Sequence, residues 1–319
     1  MQARIGINMD GDSVDGRLQA VESQIARAAE LGYDAIEVSG YGASVVMNGQ
    51  LRPAQVARVR EVTRRYPLHY TVHGPCELNL CLGEEGGMEE QCLASYLEFC
   101  GEIGASVYVY HSGLVFLHEA YYDLALLPGQ ARREAAARKE VAALQRLAKR
   151  AAELGVTIAM ENRDPHLWEV STLARNGLGL EALTTYHPGL LVEEVITQIE
   201  RVGHPNVGMT LDFGHLHIAS KTCGYDFLKA VETAAPYVRH VHMHDNVGKL
   251  DGYAASQGER MALGQGDMHM PPTWGCIPLR EALQRLPSLN GTIIMELRPR
   301  YQDHWAEALA TARGLVAGL

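Results

Sequence analysis

Short apolar runs rich in Val, Ile and Tyr alternate along the chain with longer amphipathic stretches, the pattern of βα units built on a parallel sheet. Eight such pairs can be traced. The pattern predicts strands from Arg4 to Asp10, Asp34 to Gly40, Leu68 to Pro75, Ser106 to Gly113, Val156 to Asn162, Val207 to His215, Val238 to Asn246 and Gly291 to Pro299. Helices are predicted over 18–31, 53–66, 88–103, 131–154, 189–201, 226–235, 278–286 and 302–317. Glycines follow three of these helices directly, in Leu31-Gly32, Ile103-Gly104 and Leu154-Gly155, where a left-handed residue ends a helix at little cost. The expected fold is α/β, a single (β/α)8 TIM barrel over residues 1–319. An open doubly wound sheet fits less well, because no glycine-rich phosphate turn follows the first strand.

Two predicted connections exceed the usual length of about two to six residues. Leu114 to Gln130 carries Phe116, His118, Tyr121 and Tyr122, and Val247 to Gly275 is rich in glycine. Both follow strands, so in a barrel both lie on the catalytic mouth, as candidate lids or substrate walls.

The strand ends carry the chemistry. The third ends in His73 (TVHGP), the fourth in His111 (YVYHSG), the fifth in Glu161 (IAMEN), and the sixth in Asp212 and His215 (LDFGH). The seventh ends in His242 (HVHMHDN) and the eighth in Glu296 (IMELRP), while the loop after the seventh adds Asp267 and His269 (GDMHMPP). Such residues are costly to bury unless paired or metal-bound. Six consecutive strands delivering imidazole or carboxylate to one rim therefore point to a divalent metal centre, with Zn or Mn favoured and Fe or Co compatible. Residues two apart on a strand share a face, which groups His69, Thr71 and His73, groups His240, His242 and His244, and sets Arg298 beside Glu296. His244, Arg298 and Arg163 are the candidates for contact with substrate. His118, His166, His187, His204, His217 and His304 are not at strand ends and are set aside.

Composition narrows the function without naming it. Hydrophobic residues at 47% and charged residues at 21% suit a globular enzyme with a large core. No apolar run approaches the roughly 18 residues of a membrane span and no leader-like segment opens the chain, so a cytoplasmic protein is expected. The six cysteines form no CxxC pair and read as reduced and mostly structural. A formal charge of −10 argues against nucleic acid, whose binding draws on Lys and Arg contacts to phosphate. The expected partner is a small molecule, with a homo-oligomer allowed.

The ordered series His73, His111, Glu161, Asp212-x-x-His215, His242-x-x-Asp245, Asp267-x-His269-x-x-Pro272 and Glu296 resembles the xylose-isomerase-like barrel superfamily, as does LGYDAIEV at the second strand. That superfamily includes sugar phosphate isomerases and epimerases and the endonuclease IV repair enzymes. In the repair branch the resemblance implies three zinc ions: one on His73, His111 and Glu161, one on Glu161, Asp212, His242 and Glu296, and one on His215, Asp267 and His269. In the isomerase and epimerase branch it implies one metal on Glu161, Asp212, His242 and Glu296, with Glu161 and Glu296 as catalytic acid and base. This chain departs from the repair branch at three places. It reads HGPCELNL, with Cys76 where those enzymes carry a tyrosine, DFGH in place of DTCH, and DMHMPPTWG in place of DRHxNIGxG. These departures and the acidic charge favour a metal-dependent isomerase or epimerase of a sugar, sugar phosphate or polyol ketone. The alternative is an endonuclease IV-like phosphodiesterase with a trinuclear centre.

Overall fold

The computed structural model describes residues 3–254, 256–287 and 289–317. Eight parallel strands close into a barrel: β1 (Arg4–Asn8), β2 (Ala35–Ser39), β3 (His69–His73), β4 (Val107–His111), β5 (Thr157–Glu161), β6 (Val207–Asp212), β7 (Val238–His242) and β8 (Thr292–Met295). Closure comes from β1 against β8, with Arg4 in register with Thr292 and Ile7 with Met295. Around the strands lie α1 (Leu18–Leu31), α2 (Pro53–Thr63), α3 (Met88–Ile103), α4 (Gln130–Leu154), α5 (Val192–Val202), α6 (Phe227–Ala234), α7 (Leu279–Gln284) and α8 (Trp305–Val316).

Each layer follows from the sequence pattern. α5 buries Val192, Val195, Ile196, Ile199 and Val202, one apolar stripe at helical spacing, against the barrel. The glycines expected to stop α1, α3 and α4 do so in left-handed conformation, with φ of 84°, 70° and 70°. Inside the barrel the filling is polar at mid-height. His240 registers with Thr210 on one side and Thr292 on the other, and Thr71 donates to Glu37 at 2.9 Å. All five are essentially solvent-free.

Several boundaries differ from the sequence expectation, and three departures bear on the mouth. The sixth strand stops at Asp212 rather than His215, because the Asp212 carboxylate accepts from the His215 amide at 2.6 Å and so caps a helix, Phe213–Cys223. The seventh strand stops at His242, four residues early, and Asp245 instead makes an isolated antiparallel bridge to Met270. The chain between β5 and α5 is a third long connection, containing the helix Leu167–Arg175, and the buried pair Glu169 and His187 ties it together at 2.6 Å. The two loops expected to be long also hold short helices, His118–Tyr122 and Gln257–Ala262. Among the described residues no helix is long and apolar enough to cross a membrane.

Candidate metal centre

Glu161 is the hub of the mouth. Fully buried at the end of β5, it lies 3.1 Å from His111 Nε2 and 3.5 Å from His73 Nε2 through Oε2. Its other oxygen, Oε1, accepts from His242 Nδ1 at 3.0 Å and lies 3.4 Å from His215 Nδ1. His242 Nδ1 is also 3.6 Å from Asp212 Oδ2 and 3.5 Å from Glu296 Oε2. One donor atom each from Glu161, Asp212, His242 and Glu296 falls within 4.8 Å of the others, a spacing that a single small cation bridges.

A second group stands beside the first. Donor atoms of His215, His244, Asp267 and His269 also lie within 4.8 Å of one another. His215 Nε2 is 3.7 Å from Asp267 Oδ2, which His269 Nε2 also contacts closely, and the His244 and His269 rings stack 4.1 Å apart. Two backbone features make this possible. His269 adopts φ of +45°, a strained conformation for a side-chain-bearing residue. Gly214 has no side chain because a Cβ there would sit 1.8 Å from the His244 ring.

Neighbours fix which ring nitrogen faces the mouth. His73 Nδ1 donates to the Gly74 carbonyl at 2.7 Å, His215 Nδ1 to the Asn162 carbonyl at 3.0 Å and His269 Nδ1 to the Glu296 carbonyl at 2.7 Å, which leaves Nε2 of each for the site. His242 is held from below, its Nε2 2.9 Å from Glu37.

Electrostatics points the same way. Burial pushes the Glu161 carboxyl up, but the imidazoles of His242 and His111 outweigh it and hold the group well below the usual range. Burial lowers the His73 ring, yet Glu161 and Glu296 raise it to about 9. At His111 burial wins and brings the ring down to about 4. The mouth thus pairs carboxylates with imidazoles, and divalent cations compete with protons for such groups. The residues fit a cation on an independent ground. Glu161 Oε2, His244 Nδ1 and Asp267 Oδ1 are buried without a hydrogen-bond partner, a loss of about 1–3 kcal/mol each unless another ligand meets them.

Above the ligands lies a cavity of about 280 Å³, at the small end of small-molecule pockets. Glu296, Arg163, Arg298, Cys76, Asp164 and Tyr41 contribute to its wall.

The family model for the xylose isomerase-like TIM barrel matches residues 25–315, nearly the whole chain. The chain belongs to this family. No curated protein matches it in sequence. Solved structures of similar shape include a D-tagatose 3-epimerase-like protein (19% identity, TM-score 0.65, 98% of this chain and 100% of that one). A 3-keto-D-glucoside 4-epimerase from E. coli aligns at 14% identity and TM-score 0.66, again over 98% and 100% of the two chains. The IOLI protein, solved with a bound zinc atom, aligns at 16% identity and TM-score 0.63 over 98% of this chain and 96% of that one. At these identities the likeness concerns the fold.

Within this xylose isomerase-like barrel the nine residues expected as ligands all reach the same mouth, though by different routes. His73, His111, Glu161, Asp212 and His242 sit at strand ends and Glu296 one residue past β8, whereas His215 is in the first turn of a helix and Asp267 and His269 are in a loop. His244, a candidate for substrate contact, is fully buried behind His269 and shares the donor set of the second group, away from the cavity wall. Arg298 and Arg163 do line the cavity, the first donating to the Asp267 carbonyl at 3.0 Å and the second to the Cys76 carbonyl at 3.1 Å. Sequence reading missed Glu37, which bridges His240 and His242 at 2.9 Å each. Strand alternation could have found it, since Glu37 pairs with Thr71 two residues below the His73 position. It also missed Asn162, whose side chain accepts from the Asp212 amide at 2.9 Å and donates to the Asp212 carbonyl at 3.0 Å, joining the ends of β5 and β6. His166, set aside for its sequence position, lines the cavity.

Proposed function

We propose that this protein is a metal-dependent isomerase or epimerase acting on a sugar, a sugar phosphate or a related polyol ketone. The observation that supports this reading is the convergence of Glu161, Asp212, His242 and Glu296 directly beneath a small, partly enclosed cavity. These four residues would hold a divalent cation, Zn or Mn by preference, with Fe or Co also compatible with the ligand types. When bound, such an ion polarises a carbonyl and hydroxyl pair and offsets negative charge on oxygen.

The protein's own groups divide the remaining work. Glu296 lies on the cavity wall, where a bound substrate would meet it, whereas Glu161 is fully buried at the end of β5, below the cavity, and would meet substrate from that side. In this reading the two glutamates act as base and acid on either side of the substrate carbon, Glu296 from the open side. Arg163 and Arg298 supply fixed positive charge at the rim, where they orient hydroxyl or phosphate oxygens. The test is exchange of a substrate carbon-bound proton with deuterated water across a panel of ketoses and ketose phosphates. Exchange that depends on added metal and disappears in Glu296→Gln is the expected result, and no exchange with any of them from metal-loaded protein overturns the reading.

A second reading is favoured by one observation, the donor group of His215, His244, Asp267 and His269 beside the first. With ions at both groups the mouth resembles a multinuclear phosphodiesterase site, where one ion orients an attacking water and another offsets charge on phosphate. Nicking of abasic DNA by the metal-loaded protein distinguishes it.

A further inference from the structure

We propose that Cys76 is a metal ligand, and that with His73 and His111 it forms a three-donor site at the edge of the cavity, with the Oε2 of Glu161 behind the two imidazoles. The inference rests on the metal-centre part of the function proposed above and adds to it a sulfur donor that the site series of the sequence does not contain. Three observations carry it. Cys76 Sγ and one ring nitrogen each of His73 and His111 lie within 4.8 Å of one another, and among the described residues no other cysteine belongs to a group of this kind. Glu161 Oε2, fully buried and without a hydrogen-bond partner, faces the same two histidines at 3.1 and 3.5 Å. Cys76 itself is exposed on the cavity wall, and the Arg163 guanidinium fixes its backbone by donating to its carbonyl.

The chemistry of this set is distinct from that of its neighbour. Glu161, Asp212, His242 and Glu296 offer three carboxylates and one imidazole, a set that hard and borderline ions share. Two imidazoles and one thiolate form the mixed nitrogen and sulfur environment that tetrahedral Zn favours, with one position left for water or a substrate atom, Co(II) and Fe(II) also suited and Mg or Mn disfavoured. Binding involves no redox change. As the sulfur–metal bond forms, the thiol proton passes to water, and His73 gives up its Nε2 proton in the same way. The site would admit a thiophilic ion beside the position under the cavity floor and thereby bias which metal the mouth takes from a mixture.

The experiment is titration of metal-stripped protein with Co(II), followed by near-ultraviolet absorption. Thiolate-to-cobalt charge transfer should appear in the wild type, persist in Cys276→Ser, in which another exposed thiol is removed, and vanish in Cys76→Ser. In parallel, bound Zn should slow alkylation of Cys76, located by peptide mass, by about tenfold or more, because a metal-held thiolate is not a free nucleophile. Cobalt binding that is lost in His73→Gln yet gives no charge-transfer band in the wild type overturns the proposal, as does equal alkylation of Cys76 with and without Zn. These readouts are independent of turnover. A cobalt band in a protein that exchanges no sugar proton keeps the Cys76 site and removes the epimerase reading, and proton exchange without the band does the reverse.

Discussion

The mouth holds two candidate ligand groups built on different supports. Around Glu161, the residues hang from the ends of β3 to β8, and each strand is hydrogen-bonded to neighbours on both sides. The group of His215, His244, Asp267 and His269 hangs instead from a helix start and a loop, and it needs a left-handed histidine and a glycine beside the His244 ring. The first placement follows from the fold alone, and the second depends on local strain. A site that must hold its geometry through a proton transfer is better placed on the first kind of support.

Four measurements can break or sharpen this contrast. Glu296→Gln should have the largest effect, a loss of roughly a thousandfold or more in deuterium exchange, since removing a positioned acid or base typically costs that order. Exchange within tenfold of wild type would take the proton chemistry away from the strand-end group. Next, Glu37→Gln should weaken metal binding at Glu161, Asp212, His242 and Glu296 by about 10–100-fold through His242, whose Nε2 the Glu37 carboxylate holds. Isothermal titration with Zn or Mn reads this directly, and unchanged affinity would show that strand geometry alone positions the ring. Gly214→Ala should then cost about 1–3 kcal/mol of stability by thermal unfolding, because the new methyl meets the His244 ring. The same variant should lose metal at the loop-borne group while keeping it around Glu161, and simultaneous loss of both would argue that the two groups are one unit. The smallest effect is expected from His269→Ala, less than about tenfold in exchange rate, or under about 1.4 kcal/mol of barrier, if the second group is dispensable for proton transfer. A collapse as complete as that of Glu296→Gln, with metal still bound at Glu161, would refute an isomerase that works with one metal alone.

The barrel was legible in the sequence because strand and helix periods alternate cleanly and glycines mark helix ends. The strand-end candidates for ligands were legible for the same reason, since an ionisable side chain that closes an apolar run stands out against its neighbours and, in a barrel, sits at the mouth. What escaped has physical causes. His215 reads equally well as a strand residue and as the first turn of a helix, and only the 2.6 Å bond from its amide to the Asp212 carboxylate decides it. His244 keeps strand alternation with His242 in the sequence, but the strand has ended by then and the ring lies between Asp212, 3.1 Å from its Nε2, and Asp267, 3.6 Å from its Nδ1. Glu37 looks like any single carboxylate in a strand until the barrel closes and brings β7 opposite. Cys76 follows a proline two residues beyond β3, where no periodicity indicates the direction of a side chain.

The bridge between Asp245 and Met270 bears on how such a protein can change. Two hydrogen bonds of 2.9 and 3.0 Å clamp the ends of the segment between them, and the Asp245 carboxylate accepts further amides from Asn246, Thr273 and Ile277. The excursion from residue 247 to residue 266 therefore begins and ends at fixed points, while Asp267 and His269 lie just inside the clamp. Lengthening a loop between fixed ends costs little free energy, growing only with the logarithm of its length. Insertions within this excursion can accordingly be accommodated without moving Asp267 and His269, so selection for a new substrate has a part of the chain to act on that the candidate metal centre does not constrain.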